Sequence, residues 1–346
     1  EDIRIIDPAA DFGGTWYWNR YPGIACDVES YTYLPLLEEL GYVPQEKYAF
    51  GTEILAHSQA IARKFDLYRD ACFQTRVETL RWEESESCWI VSTNRKDRMK
   101  ARYLCLATGP LNRPKLPGLP GIDSFQGHSF HASRWDYQYT GGDTTGGLDK
   151  LADKRVGVIG TGATAIQCVP HLGKNAKELF VFQRRPNWCT PLHNRKIDYA
   201  EMQELKKGYP EMFQRCQETA TCFLHTPDQR KTFDVSPEER DAFWEQLYAT
   251  PGFAIWVGNF RDMLFNRAGN KEVSDFVARK IRERVNDPET AELLIPNDHG
   301  FGTRRVPQET YYYEVYNQPN VDLVSIVDNP IERITPTGIE TCERSF

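Results

Sequence analysis

The sequence predicts an α/β fold in two halves, one with a complete strand–helix–strand unit and one with only the end of such a unit, with a helical insertion, and three observations carry that expectation. Residues 155–183 read as a strand, a glycine-rich turn, a helix and a second strand in succession. Residues 3–7 alternate like another strand and end in an acid, Asp7. The chain has 346 residues, which at roughly 150 residues per domain suits about two domains. Its 40% apolar content and 24 glycines are ordinary for a globular protein. The formal net charge of −7, with no compensating basic run, is the opposite of what a general nucleic-acid binder carries.

Taken in order, the strand at 3–7 gives way to a loop over 8–14, and residues 13–33 are loop-like and crowded with aromatics and glycines. A helix is expected from Thr52 as N-cap, turning Leu55, Ile61, Ala62 and Phe65 inward. Residues 73–82, 88–93 and 99–108 read as three strands, the last closed by Gly109 and Pro110. Two flexible stretches follow, Pro/Gly-rich at 114–120 and Thr/Gly-rich at 139–147. Residues 155–160 are expected as a buried strand, 163–172 as a helix and 178–183 as a strand, completing a βαβ unit. Residues 198–286 turn helical, charged and glycine-poor, and 311–341 close the chain with helix-like and then strand-like segments. The boundaries predicted are 1–120 for a first domain, 121–150 for a linker, 151–325 for a second domain carrying the insertion 198–286, and 326–346 for a return to the first.

Apolar runs such as 104–107 and 179–182 fall far short of the ~20 residues that span a bilayer. The nine cysteines are odd in number, scattered and without a C-x-x-C pair, so neither a metal site nor a disulfide framework is indicated. Thiols in a reducing compartment, and hence a cytoplasmic protein, are expected. The N-terminus has neither a signal-like pattern nor an initiator methionine, so a preceding segment is expected.

Gly160-Thr161-Gly162-Ala163-Thr164-Ala165 is a G-x-G-x-x-A between strand and helix. Glycines there permit the tight turn and let a pyrophosphate reach the amides at the positive end of a helix. Any tight strand-to-helix turn also uses glycines, but the complete βαβ context favours a nucleotide. About 20 residues on, an NAD site places an acid against the ribose 2′-hydroxyl, whereas an NADP site places arginine near the 2′-phosphate. Here stand Gln183, Arg184 and Arg185, so NADPH is preferred; paired arginines also serve as a solvated strand edge. Asp7 is placed to accept from an adenosine ribose, although alone it is only a polar strand terminus.

Residues 13–30, Gly-Gly-Thr-Trp-Tyr-Trp-Asn-Arg-Tyr-Pro-Gly-Ile-Ala-Cys-Asp-Val-Glu-Ser, closely resemble a segment of the class B flavoprotein monooxygenases, in particular the Baeyer–Villiger monooxygenases. Phe125, Gly127, His131, Trp135 and Asp136 resemble that family's fingerprint F-x-G-x-x-x-H-x-x-x-W-P/D without a mismatch. Phe301-Gly302-Thr303-Arg304-Arg305 resembles the stretch with the active-site arginine. The resemblance runs over essentially the whole chain, more loosely across the insertion, and it implies two Rossmann-like domains that bind FAD and NADPH. Such families carry an earlier G-x-G-x-x-G and a long C-terminal part, so the chain is expected to be truncated at both ends and to hold FAD weakly by itself while retaining NADPH.

The resemblance further implies that NADPH reduces FAD, that O2 adds to the reduced flavin, and that the peroxyflavin attacks a ketone to give an ester or lactone. Arg305 then supplies the fixed cation that such anionic states require, Asp27 holds that arginine, and Arg304 faces the NADP phosphate. Without the resemblance, both arginines read as loop charges and Asp27 as a turn former. Gly13, Gly14, Thr15, Trp16 and Tyr33, with Asp7 and Asp27, are expected to contact flavin. Tyr17, Trp18 and Tyr21 equally suit packing. His131 is either a satisfied structural histidine or a coupling residue between domains, and Trp135 is a packing anchor. For Tyr311, Tyr312, Tyr313 and Tyr316, and for Phe243, Trp244, Phe253 and Trp256, core packing is favoured. The stretch 137–147 resembles fungal members acting on polyketide or terpenoid intermediates. Two other readings remain: an N- or S-oxygenating relative, against which Trp135-Asp136 argues, and a non-catalytic NADP-binding remnant.

Overall fold

The computed structural model describes residues 3–109, 111 and 113–346. Strand β1 (Ile5–Ile6) is followed by the short helices α1 (Thr15–Trp18), α2 (Ser30–Tyr33) and α3 (Leu37–Leu40), then by α4 (Gly51–Lys64). The expected helix is there but starts earlier, and its buried face is Gly51, Ile54, His57 and Ala62. Phe65 is the C-cap and lies 46% exposed rather than inward, because the helix ends before another turn could carry it onto that face.

Strand β2 (Ala71–Cys72) pairs parallel with β1. β3 (Val77–Glu83), β4 (Cys88–Thr93) and β5 (Arg98–Ala101) form an antiparallel sheet in that order. The single strand expected over 73–82 is split between β2 and β3 because Gln74 takes a left-handed φ of 51°, a conformation no strand continues through. The strand expected over 99–108 stops at Ala101, where the pairing with β4 ends. Tyr103 and Leu106 beyond it are strongly exposed, since an apolar run becomes a strand only where a neighbour accepts its ladder. Of the expected terminator, Pro110 lies outside the described residues.

Helix α5 (Tyr137–Thr140) precedes the βαβ unit β6 (Arg155–Ile159), α6 (Ala163–Asn175) and β7 (Glu178–Gln183). After β8 (Thr190–Pro191) come α7 (Tyr199–Glu218), α8 (Pro237–Ala249), α9 (Ala254–Val257), α10 (Arg267–Arg284) and α11 (Pro288–Leu294), so the insertion is helical as expected. Strand β9 (Gln308–Glu309) pairs parallel with β8. Strand β10 (Val321–Ser325) completes a parallel sheet of order β10-β7-β6, and β11 (Ile331–Thr335) and β12 (Gly338–Thr341) form a hairpin.

The largest core lies on the α6 face of that parallel sheet and joins Ile166, Val169, Leu179 and Val181 to α10 through Val273, Phe276 and Val277. On the other face Phe180 and Phe182 pack against Ile331, Ile339 and Phe346 of the closing hairpin segment. β7 is accordingly buried from Leu179 to Gln183, whereas β6 at the sheet edge is only half-buried, with Ile159 42% exposed. The expectation of a buried first strand fails because, among the described residues, β6 has a partner on one side alone. A second core gathers Cys26, Val28, Tyr31, Leu34 and Ile54 around Tyr209 of α7. Tyr312, Tyr313 and Tyr316 are buried as expected, but Tyr311 is exposed. Trp244 and Phe253 are core residues, with Phe243 and Trp256 packed against it. All nine cysteines are free thiols, and no helix among the described residues is long and apolar enough to cross a membrane.

Candidate functional site

The segment 13–30 is a hub on which the other motifs converge. It begins with Gly13 at φ +135°, where a Cβ would lie 2.3 Å from Leu55 Cδ1 of α4; glycine there satisfies both the backbone and the close approach. Gly14 caps α1, which carries Thr15 and Trp16. The Trp16 indole donates to Tyr33 Oη at 3.2 Å, and the two rings meet edge to face. Further along, Tyr21 Oη donates to Gln167 Oε1 at 2.9 Å, and Gln167 Nε2 donates to the Ala25 carbonyl at 3.0 Å. α6 of the βαβ unit is thereby fixed against the hub.

Asp27 lies in the same segment, nearly buried, and accepts a charge-assisted bond from Arg305 Nη2 across 278 residues of sequence. Burial pushes the Asp27 carboxyl above its usual range, and the opposing pull of Arg305 only partly offsets it. Arg305 keeps most of its side chain exposed while its guanidinium carbon lies 6.0 Å from the Phe253 ring centroid. A cation anchored at one end and open at the other is thus presented at the hub's edge. Trp256 Nε1 donates to the Gly302 carbonyl at 3.1 Å and steadies the loop that carries it.

The fingerprint docks on the same hub. Gln126, between Phe125 and Gly127, donates its amide to Pro336 O at 2.9 Å, and a Cβ at Gly127 would sit 2.4 Å from the Phe125 ring. His131 Nδ1 accepts from the Ser133 amide at 3.2 Å and bonds Ser133 Oγ at 2.8 Å, capping a single 3-10 turn. Trp135 donates to Thr140 Oγ1 at 3.1 Å and packs against the large core. Asp136 caps α5 through the amides of Gln138 and Tyr139 and pairs with His128 at 2.9 Å. Contact with the hub comes from residues the sequence did not single out: the Arg134 guanidinium lies 4.0 Å from the Trp18 ring, and Tyr137 Oη donates to Arg20 O.

At the βαβ unit, Gly160 has φ +103°, and a Cβ at Gly160 or Gly162 would meet nothing within 4 Å. Gly162 is the N-cap of α6, which has no side-chain cap and no acid in its first turn, formed by Ala163, Thr164 and Ala165. Thr161 Oγ1 donates to the Arg185 carbonyl at 3.2 Å and ties the turn to the end of β7. Arg184 is exposed beside it. Arg185 and Arg304 converge on Asp298 at 3.7 and 3.3 Å, which brings the two sequence-distant arginines together. Open amides and three arginines suit a phosphate-rich dinucleotide; Asp298 is a competing anion that sequence reasoning missed. Asp7 follows β1, donates its amide to Cys72 O at 3.1 Å, and accepts from the Ala9 amide through Oδ1 at 2.7 Å.

Residues 27–214 match the flavin-binding monooxygenase-like family model. The chain is 46% identical over 345 residues to the 2-oxo-Δ3-4,5,5-trimethylcyclopentenylacetyl-CoA monooxygenase of Pseudomonas putida, covering 99% of this chain and 63% of that protein. A Baeyer–Villiger monooxygenase of Stachybotrys chlorohalonatus is 45% identical, with 98% and 53% covered. The structure of OTEMO complexed with FAD and NADP superimposes with a TM-score of 0.94 at 46% identity, covering 99% of this chain and 64% of that one. The chain therefore spans less than two thirds of the length of these relatives, and the α/β architecture is that of the two-domain flavoproteins. Bacterial and fungal relatives are similar to about the same degree, 46% and 45% identical. The relatives it matches over nearly its whole length include Baeyer–Villiger monooxygenases, and the chain belongs to the flavin-binding monooxygenase-like family.

Proposed function

We propose that this chain is the major part of an FAD- and NADPH-dependent enzyme that converts a ketone, O2, NADPH and a proton into an ester or lactone, NADP+ and water. The observation that carries this reading is the Asp27–Arg305 pair, which sets a half-free guanidinium on the segment expected to contact flavin. Bound flavin supplies the electrons drawn from NADPH and the activated oxygen. The chain's own residues position and charge the site. Arg305 offers a planar cation to negative charge developing on the substrate oxygen, and Asp27 keeps it from swinging into solvent. Gly160 to Ala165 receive the pyrophosphate of NADPH, and Arg184, Arg185 and Arg304 face its 2′-phosphate. Asp7, Gly13, Gly14, Thr15, Trp16 and Tyr33 take the flavin side.

In this reading residues 1–120 serve FAD, 121–150 link, 151–325 serve NADPH with the insertion 198–286, and 326–346 lead back to the FAD side. Ketones of secondary metabolism are the substrate class, in keeping with a relative named neopentalenolactone D synthase from Streptomyces avermitilis, 44% identical. A cytoplasmic setting accords with nine free thiols. The test incubates the flavin-loaded full-length protein with NADPH, 18O2 and either a polycyclic ketone or a thioether. Ester carrying one labelled oxygen is expected, and Arg305→Ala should lose it while flavin reduction persists. Sulfoxide without ester would favour the S-oxygenating alternative, and normal ester yield from Arg305→Ala would remove that residue from the chemistry.

A further inference from the structure

The loop 219–236, between α7 and α8, carries two side chains that reach neighbours of the Asp27–Arg305 pair, one contacting Glu29 and the other Phe253. Its later half is tied down independently: the Asp228 amide donates to Asn259 O at 3.0 Å, Arg230 bridges Asp228 and Glu239, and Thr232 bonds Asp262. Its earlier half is held differently. His225 Nε2 donates to Glu29 Oε1 at 3.0 Å, and this is the one polar contact from residues 220–227 to another segment among the described residues. Phe223 packs on Phe253 with ring centroids 5.5 Å apart, and Phe253 is the ring beneath the Arg305 guanidinium.

Glu29 is itself unusual. It is 3% exposed, lies two residues beyond Asp27, and its carbonyl starts α2 by accepting the amides of Thr32 and Tyr33. The same Oε1 that takes His225 also accepts from Tyr48 Oη at 3.3 Å. Burial alone would raise the carboxyl, but the His225 bond and the charge of Lys47 outweigh it and hold Glu29 below its usual range. A buried carboxylate with these donors is costly to leave half-satisfied, which favours the loop docked on Glu29.

We propose that His225 and Phe223 make this loop a latch that positions the Asp27–Arg305 pair, His225 through Glu29 on the Asp27 side and Phe223 through Phe253 on the Arg305 side. His225 is a positioning residue and touches neither member of the pair. The inference rests on the proposed oxygenation only for what the pair does, not for the coupling itself.

Amide hydrogen exchange on the protein therefore reads the coupling without any activity. His225→Ala should raise exchange on the order of tenfold in residues 220–227 and also in the distant 300–306 loop, with 155–183 unchanged. His225→Gln keeps a donor and should restore both. In the flavin-loaded full-length protein, ester formed per NADPH oxidised should fall in His225→Ala at an unchanged flavin-reduction rate, and recover in His225→Gln. Should the alanine variant fail to fold, Phe223→Leu gives the second reading: exchange at 300–306 rises while the Glu29 bond is retained. Unchanged exchange at 300–306 in His225→Ala, or in Phe223→Leu where that variant must stand in, overturns the latch. Absence of ketone oxidation by the wild type would overturn the proposed function and leave the exchange result to decide the latch.

Discussion

Arg305→Ala should destabilise the protein more than Asp27→Asn does, and the difference should grow with pH. The Asp27 side chain is 11% exposed and that of Arg305 62%. Breaking a buried pair from one side costs about 3–5 kcal/mol, because the remaining charge is left desolvated. Here the exposed guanidinium leaves a gap that water can enter, so the cost falls to about 2 kcal/mol. Asp27→Asn leaves behind an arginine already in contact with solvent and should cost less than about 1 kcal/mol. The pH dependence follows from the raised Asp27 carboxyl. The folded state binds the Asp27 proton more tightly than the unfolded state, so this group's contribution to stability is fully present below its ordinary value of 3.8 and is lost as pH rises through the raised one. Removing Arg305 takes away the attraction that opposes burial, lifts the carboxyl further and widens that window. Urea unfolding of wild type and both variants from pH 4 to pH 8 measures it. An Asp27→Asn penalty larger than that of Arg305→Ala, or a pH-independent Arg305→Ala penalty, would refute the reasoning.

Arg184→Ala should weaken NADPH binding by about tenfold to a hundredfold, the worth of one charge-assisted bond at ~1.5–3 kcal/mol, with little change for NADH in titration calorimetry; equal losses would show that Arg184 does not read the phosphate. Asp298→Asn frees Arg185 and Arg304 from their shared carboxylate, so NADPH affinity should rise a few-fold at low salt and the gain should shrink as salt is added. Arg284→Met strands the fully buried Glu309, which Arg284 Nη1 holds at 2.7 Å, and should cost about 3–5 kcal/mol in thermal or urea unfolding, partly recovered by Arg284→Lys.

The βαβ unit was legible because its information is local. β6, α6 and β7 each announce themselves by periodicity and by the glycines between them, and the observed bounds lie within a few residues of those expected. The failures share one cause. Residues 102–108 have the composition of a strand, but a strand exists only where another backbone takes up its hydrogen bonds, and composition is silent on that. The half-exposed β6 and the outward Phe65 are the same kind of error, since edge or centre and inward or outward are set by what packs alongside.

The site divides in the same way. Each motif could be read alone, yet no spacing in the sequence says that Asp27 and Arg305 touch, or that Arg185 and Arg304 share Asp298. Those meetings come from the fold: α6 docks on the hub through Gln167, and the loop 300–305 returns to the hub against Phe253 and Trp256. Residues that act by holding others leave still less trace. His225 is a solitary histidine in an irregular loop, and Asp298 follows an asparagine with no recognisable pattern. Their significance lies in a partner 196 residues away for His225 and in two convergent arginines for Asp298. A cation poised for chemistry must be held by groups that do not themselves react, and in this chain those groups come from segments that the sequence keeps apart. Sequence reading therefore finds first the residues a motif names, and the physical case for Arg305 becomes complete only when Asp27, Glu29 and Phe253 are seen around it.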